Sequence, residues 1–367
     1  MRGRVISVII PVYKESPYLE KLIKCLSAQH ADKEIIVIID EPTKASLELV
    51  NKFKEIKFIL NRKRMGKVAA LNKAAKITRG EILLFLDADV EINDNEFLKK
   101  LELEMRDAEF IDIKKVVVKD SFLSRMTYYE YLGFNIGSYL LSRFLRKCPA
   151  VNGSAFAVKR YVFEKIGGFR KVIVEDVDIA TRAFVNGYAF KYLPNIHVYN
   201  HVPKTWWAWI EQRKRWSIGT ALWFREWYKE MIGIAIKKPE IVLPALLFVF
   251  PAVVIVIVNI FIPNLWVYKL LSLVFIFFAI KFNIMFPLLM LTTVGINIVK
   301  NLFILLASFL FFAFLFFYFS RRLGFHFNLQ EFLLYYMFYS ILSLFILIVG
   351  FMSVFILRKS KIEGWKV

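Results

Sequence analysis

Asp87 and Asp89 close the apolar run LLFLDADV, Leu83 to Val90. In an extended backbone, side chains two apart project to the same side, so both carboxylates reach one point. Repulsion and desolvation count against such a pair unless something cationic is held there. Hard divalent cations, Mg²⁺ or Mn²⁺, take carboxylate oxygens together with those of a diphosphate; the alternative is a solvated turn. Asp40 ends a second apolar run, EIIVIID (Glu34 to Asp40), and Tyr13 and Glu15 end a third, beginning VISVIIPVY. Asp40 could instead cap a helix before Thr43. No Ser/His or Cys/His arrangement offers a covalent nucleophile. Cys25 and Cys148 are too few for a disulfide framework or a metal cluster.

The elements that must position these residues read as alternating strands and helices. Strands fall at Val5–Tyr13, Glu34–Asp40, Ile56–Leu60 and Glu81–Asp87; helices fall at Pro17–Gln29, Thr43–Phe53 and Lys67–Ile77. Continuous β-branched runs are typical of strands buried on both faces, so the expected class is α/β, a mostly parallel sheet flanked by helices. Ligands of such sheets sit beyond the carboxyl ends of the strands, the edge where Tyr13, Glu15, Asp40, Asp87 and Asp89 fall. The usual nucleotide fingerprints are missing: no GxGxxG follows the first strand, and RMGK (Arg64 to Lys67) lacks the upstream glycine of a P-loop.

Composition divides the chain near Pro239. Residues 1–240 carry 42 basic and 29 acidic side chains, and the remainder nine and two, for a net charge of +20. Between Ile241 and Leu357 the charged residues are Lys269, Lys281, Lys300, Arg321, Arg322 and Glu331. The expected organisation is a catalytic domain at 1–204, amphipathic interfacial helices at 205–239, a transmembrane domain of about four all-α spans at 240–357, and a basic tail at 358–367. Candidate spans are Ile241–Ile262, Leu302–Phe319 and Phe332–Leu357, with 265–298 ambiguous. A basic surface beside apolar spans fits a cytoplasmic face on anionic lipid of the cell membrane. Nucleic acid is not expected as a partner, because no recognition motif accompanies the charge. The run Val5–Val12 is too short and β-branched for a signal peptide.

Six blocks in order carry a resemblance: SVIIPVYKE, IIVIIDEPT, GKVAALNKA, LLFLDADV, VNGSAFAVKR…IGGF…VEDVDIATRAFVNGY, and QRKRW. Across Ser7 to Gly219 the chain resembles family 2 inverting glycosyltransferases with the A-type nucleotide-sugar fold. Its Asp-x-Asp, Glu-Asp and Gln-x-x-Arg-Trp motifs resemble those of cellulose, chitin and hyaluronan synthases. The resemblance implies that Pro11, Tyr13 and Glu15 wrap the nucleotide and that Asp40 accepts a base N–H. The family's second Asp is replaced here by Glu41. Lys67 and Arg215 would lie near the diphosphate, Asp87 and Ala88 would face ribose and sugar, and Asp89 would hold Mg²⁺ or Mn²⁺. Asp176 would be the general base, and Asn152, Gly153, Ser154, Glu175, Gln212 and Trp216 would line the acceptor side.

The implied activity is metal-dependent transfer from a nucleotide sugar, UDP-linked by the family's habit, to a glycan or a polyprenyl- or other lipid-linked acceptor. Two forms stay open. QRKRW and VED suit a processive synthase that secretes polymer through its own helices. A catalytic domain beginning at residue 5 suits single or limited transfer. A transporter with a nucleotide-sensing domain is disfavoured because acidic residues within the spans are absent. A non-catalytic anchor is disfavoured because the acidic motifs are intact. His197 and His201 read as packing or surface residues, Trp206, Trp207 and Trp209 as an aromatic belt, and Arg213 and Lys214 as contacts to lipid headgroups. The GGF of Gly167 to Phe169 reads as a tight turn.

Overall fold

The computed structural model describes residues 5–241, 248, 264–283 and 293–358. They fall into two compact units, Met1–Ala245 with Phe345–Val367, and Leu246–Leu344.

The first unit is built on one eight-stranded sheet. Its strands are β1 (Ile6–Tyr13), β2 (Lys33–Asp40), β3 (Lys57–Asn61), β4 (Ile82–Leu86), β5 (Val90–Glu91), β6 (Phe110–Val117), β7 (Ala155–Lys159) and β8 (Phe190–Asn200), in the order β3-β2-β1-β4-β7-β6-β8-β5. The first four are mutually parallel. β7 then runs antiparallel to both β4 and β6, and β5 antiparallel to β8. β6 pairs with β8 in parallel, so the sheet is mixed with four of its seven strand pairs parallel, in keeping with the mostly parallel sheet expected. The parallel half is packed with α1 (Leu19–Ser27), α2 (Lys44–Lys52) and α3 (Lys67–Ile77). Residues such as Val8, Ile10, Val37, Ile39, Leu84 and Leu86 are buried in a core cluster with Leu22, Leu26 and Leu98. Burying a side chain of this size stabilises by roughly 1.5–3 kcal/mol relative to exposure. That accounts for the unbroken β-branched runs.

Past β4 come α4 (Phe97–Glu104), α5 (Phe122–Leu145), α6 (Arg160–Lys165), α7 (Glu175–Val185) and α8 (Trp206–Lys237). Ser121 opens α5 with a capping box through Ser124. α8 is one continuous helix of 32 residues rather than the several expected over 205–239.

Two apolar helices long enough to cross a membrane lie among the described residues, Ile298–Leu323 and Leu329–Phe355. A further helix occupies Asn264–Phe282. The expected span Ile241–Ile262, apart from Ile241 and Phe248, and the tail from residue 359 lie outside the described residues, so the count of about four spans rests on the sequence. In the second unit Phe316 packs on Phe332 and Tyr335. The Tyr336 hydroxyl bonds Ser308 Oγ at 2.9 Å.

Candidate active site

The register of the sheet sets the site. Tyr13 stands opposite Asp40, and Asp40 opposite Asn61, so three strand ends finish level. Each of the first two strands then turns through a left-handed residue, Lys14 at φ 63° and Glu41 at φ 53°, an uncommon conformation away from glycine. Tyr13 is exposed; its hydroxyl donates to Glu41 at 3.1 Å, and the Arg64 guanidinium lies 4.5 Å from its ring centroid. The Thr43 hydroxyl donates to the Glu15 carboxylate.

Asp40 is buried and holds the loop between β3 and α3: Oδ1 accepts from Asn61 Nδ2, and Oδ2 from the backbone N–H groups of Met65 and Gly66, each at 2.9 Å. The cap of α2 is Thr43, which accepts from Ser46 N, so Asp40 is not that cap. A carboxylate offers about four lone-pair sites, and three internal bonds leave room for one further donor.

The loop held by Asp40 ends at Gly66, whose φ of 95° suits glycine, and places Lys67 at the start of α3. Lys67 Nζ lies 2.7 Å from Asp87 Oδ1 and 3.0 Å from Glu175 Oε1. Burial alone would lower the Lys67 ammonium, yet Asp87 and Glu175 hold it well above its ordinary value. The lysine thus joins the strand-end aspartates to the Glu-Asp pair, 88 residues apart in sequence. Asp87 N donates to Ser154 O at 2.9 Å, and the Ala88 carbonyl accepts from Ser16 Oγ at 2.5 Å. Asp89 keeps an exposed surface, so its surroundings are a wet recess rather than dry core. Partial desolvation within the recess and then the Asp87 carboxylate push it up to about 7, against the pull of Lys67. Among the described residues no group of three or more His, Cys, Asp or Glu stands ready to hold a metal. Two carboxylates suit Mg²⁺ or Mn²⁺ when diphosphate oxygens and water complete the shell, so the donor set fits a cation that arrives with a nucleotide.

Asp176 opens α7 beside Glu175. Gly153 N donates to its Oδ2 at 2.6 Å, and Val177 N to its Oδ1 at 2.8 Å. A Cβ at residue 153 would sit 2.7 Å from Asp176 Oδ2, so glycine is what lets the two chains meet. Asn152 Oδ1 accepts from the backbone and hydroxyl of Ser154 at 3.1 and 2.9 Å, fixing this turn. Burial, then the Glu175 charge, pushes Asp176 up to about 6 against the opposing pull of Lys67. One recess is lined by Pro11, Lys67, Asp87, Gly153, Glu175 and Asp176, with an apolar floor of Leu71, Phe85, Leu86, Phe156 and Phe169.

α8 closes the other side. Arg215 feels the pull of the Glu175, Asp87 and Asp176 carboxylates, although burial lowers its guanidinium. Gly219 lets α8 approach the loop leading into α7, since a Cβ there would lie 2.6 Å from Val174 Cγ1. Trp223 Nε1 donates to Thr181 Oγ1 at 2.9 Å, and Arg170 pairs with Glu226 at 2.7 Å. Ile218 and Ala221 pack against Val354 and Phe351 of the last apolar helix, with Ile173 joining the same cluster, and a Cβ at Gly350 would collide with Ser217.

Two expectations are corrected here. Arg213 does not face headgroups: it is buried and ion-paired with Glu130 of α5, and Nη1 donates to Gln212 Oε1 at 2.9 Å. Its guanidinium stacks over Trp216 at 4.3 Å and faces Trp209 at 5.4 Å. Removing one partner of such a buried pair costs roughly 3–5 kcal/mol. Trp209 is fully buried rather than part of a belt, while Trp206 and Trp207 are exposed. His201 stacks on Tyr18 at 3.7 Å and pairs with Glu91 at 2.8 Å, a packing role as expected. Glu130 and Tyr131, which meets the Asn152 side chain, are the residues that sequence reasoning missed. Their signal was a lone carboxylate in the 24-residue apolar and aromatic helix α5.

Residues 7–167 match the model of glycosyl transferase family 2. A probable glycosyltransferase, YdaM, of Bacillus subtilis is 26% identical over 232 residues, covering 58% of this chain and 54% of that one. A probable glucomannan 4-beta-mannosyltransferase 6 of rice, Oryza sativa subsp. japonica, is 28% identical over 255 residues, covering 62% of this chain and 43% of that one. The chain thus spans about half the length of the curated relatives it matches. Among solved structures, the mannosyltransferase PcManGT of Pyrobaculum calidifontis, in complex with GDP-Man and Mn²⁺, superposes with a TM-score of 0.51 at 24% identity. That alignment covers 62% of this chain and 65% of that one, and it supports a shared fold.

Proposed function

We propose, from the premise that this chain carries a glycosyl transferase family 2 domain, that it is a membrane-bound inverting glycosyltransferase. It would move a sugar from a nucleoside diphosphate, UDP in the leading reading, to a glycan or lipid-linked acceptor. The observation that carries this is the position of Lys67, within 3.0 Å of both the Asp87 and Glu175 carboxylates. A donor diphosphate at the first pair and an acceptor hydroxyl at the second would then share one recess.

In this reading Pro11, Tyr13, Glu15 and Asp40 receive the nucleoside, and Asp87 and the Ala88 backbone face ribose and sugar. Lys67 and Arg215 lie against the diphosphate, where fixed positive charge stabilises the leaving group more than it does in water. Mg²⁺ or Mn²⁺ held by Asp89 would add Lewis-acid stabilisation of the same charge. Asp176 takes the proton of the acceptor hydroxyl as its oxygen attacks the anomeric carbon; the bond to the diphosphate breaks on the opposite face. Asn152, Gly153, Ser154, Glu175, Gln212 and Trp216 shape the acceptor side. Single displacement needs no enzyme nucleophile.

A processive form is supported by the Gln212–Trp216 motif on α8 and by the last apolar helix packed on that same helix. The two long apolar helices support a membrane location with the basic catalytic unit on the cytoplasmic face.

The test is a panel of radiolabelled nucleotide sugars offered to the full chain in native membrane lipids. Transfer from none of them overturns the reading. Excess EDTA is expected to suppress transfer, with Mn²⁺ or Mg²⁺ restoring it; full activity in EDTA removes the metal role. Gly153→Ala should also cost heavily, because the new methyl pushes on Asp176, and a misplacement near 1 Å can cost about 10²-fold in rate. Nucleoside diphosphate affinity, measured calorimetrically, should stay within about twofold. A Gly153→Ala chain of full activity would show that Asp176 has no fixed position in the reaction.

A further inference from the structure

We propose that Glu130 and Arg213 are positioning residues for the acceptor, acting together to fix the indole of Trp216. The inference deepens the reading above and rests on it.

Trp209, Arg213 and Trp216 are spaced i−4, i and i+3 along α8, so all three share a face. The guanidinium lies between the two indoles, 5.4 Å from Trp209 and 4.3 Å from Trp216. Trp209 is wholly buried and serves as the anchor, whereas Trp216 retains accessible surface. Stacking alone leaves the cation free to slide over a ring. The Glu130 carboxylate, reaching from α5, and Gln212 Oε1 at 2.9 Å remove that freedom. An arginine plane held by a carboxylate and stacked on aromatics is pre-organised in a way a lysine is not. The Glu130 and Arg213 side chains are 11% and 5% exposed, so water does not compete for the pair.

The placement gives this pair its leverage. Arg215, two residues on, feels the carboxylates of Asp87, Glu175 and Asp176. Tyr131, adjacent to Glu130, meets Asn152, whose neighbour Gly153 donates to Asp176. One turn of α5 therefore ties both the indole and the turn that holds Asp176. Neither Glu130 nor Arg213 lines the recess of Lys67 and Asp87. Loosening the pair should loosen the acceptor and leave the donor in place.

The experiment compares the full chain in detergent micelles with its Glu130→Gln and Arg213→Lys variants and the double variant. Binding of β-linked gluco-, manno- and N-acetylglucosamine oligosaccharides is read by intrinsic tryptophan fluorescence. Initial rates use whichever nucleotide sugar the wild type transfers. Acceptor KM and oligosaccharide Kd should rise at least tenfold in each single variant. The kcat at saturating acceptor should stay within about threefold, and the Kd for UDP and GDP with Mn²⁺ within about twofold. The double variant should be no worse than the weaker single one, because both changes break one device. Should Glu130→Gln fail to fold, Glu130→Asp keeps the charge, shortens the arm and carries the same expectation. Unchanged acceptor KM in a folded variant overturns the proposal, as does a parallel fall of kcat, nucleotide affinity and melting temperature. Wild-type chain that binds oligosaccharides and transfers no sugar overturns the functional reading while the binding arm still decides this one. Chain that neither binds nor transfers overturns both.

Discussion

Asp89→Asn is expected to weaken nucleoside diphosphate binding in the presence of Mn²⁺ and to lower sugar transfer by at least about a hundredfold. The carboxylate stands at the end of the apolar strand β4 with Asp87 beside it and Lys67 bridging to Asp87. Asparagine keeps its size and one acceptor oxygen but removes the charge that makes a hard-cation ligand. Stabilisation of leaving-group charge by a bound ion is worth several kcal/mol. Losing about 3 kcal/mol of it is roughly a hundredfold in rate, at 1.36 kcal/mol per factor of ten. Calorimetric titration with and without Mn²⁺ separates the causes. Without the ion, wild type and variant should bind the nucleotide equally, since the Asp40 loop is untouched; with it, only the wild type should gain. A variant that gains as much affinity from Mn²⁺ as the wild type would remove Asp89 from the ion's shell.

The parallel half of the fold was legible because its strands are buried on both faces, which leaves a run of β-branched residues for each. The expected strand Val5–Tyr13 is observed as Ile6–Tyr13, and Glu34–Asp40 as Lys33–Asp40. The antiparallel insertion of β7 between β4 and β6 was not legible. AFAVK reads as a buried strand in either direction, and its partners lie far earlier in the chain, 77 residues for Ile82↔Lys159 and 48 for Phe110↔Val158, with nothing local to encode the direction.

In the site, the acidic motifs fall at the sheet edge where the run-and-stop pattern puts them. What the pattern hides is the state of each side chain. Asp40 reads as a carboxylate open to a ligand, yet three donors from the end of β3 and the loop after it already bond it. Arg213 sits in a run of basic residues that reads as a solvated face. Its helical spacing from Trp209 and Trp216 is a signal that the headgroup reading passed over, while its partner Glu130, 83 residues away, is beyond local reading.

Asp176→Asn should separate base chemistry from donor binding. The amide keeps the shape and can still accept from Gly153 N, but it has no basicity. Positioned general bases contribute typically 10²–10⁴-fold, so transfer should fall by at least about a hundredfold. UDP or GDP affinity with Mn²⁺ should change little, in contrast to Asp89→Asn. The pH dependence gives a second reading of the same residue. Burial and the Glu175 charge push Asp176 up to about 6, and a base works only when ionised. At saturating Mn²⁺ and donor, which hold Asp89 ionised, wild-type kcat/KM for the acceptor should therefore fall as pH drops through about 6, approaching tenfold per unit below it. Glu175→Gln removes the neighbouring negative charge that raises Asp176, so the limb should move to lower pH. The residual rate of Asp176→Asn should lose this limb altogether. If the variant keeps the acidic limb of the wild type, the ionisation belongs to another group. If it loses nucleotide affinity as badly as Asp89→Asn, Asp176 is part of the donor site instead of the base.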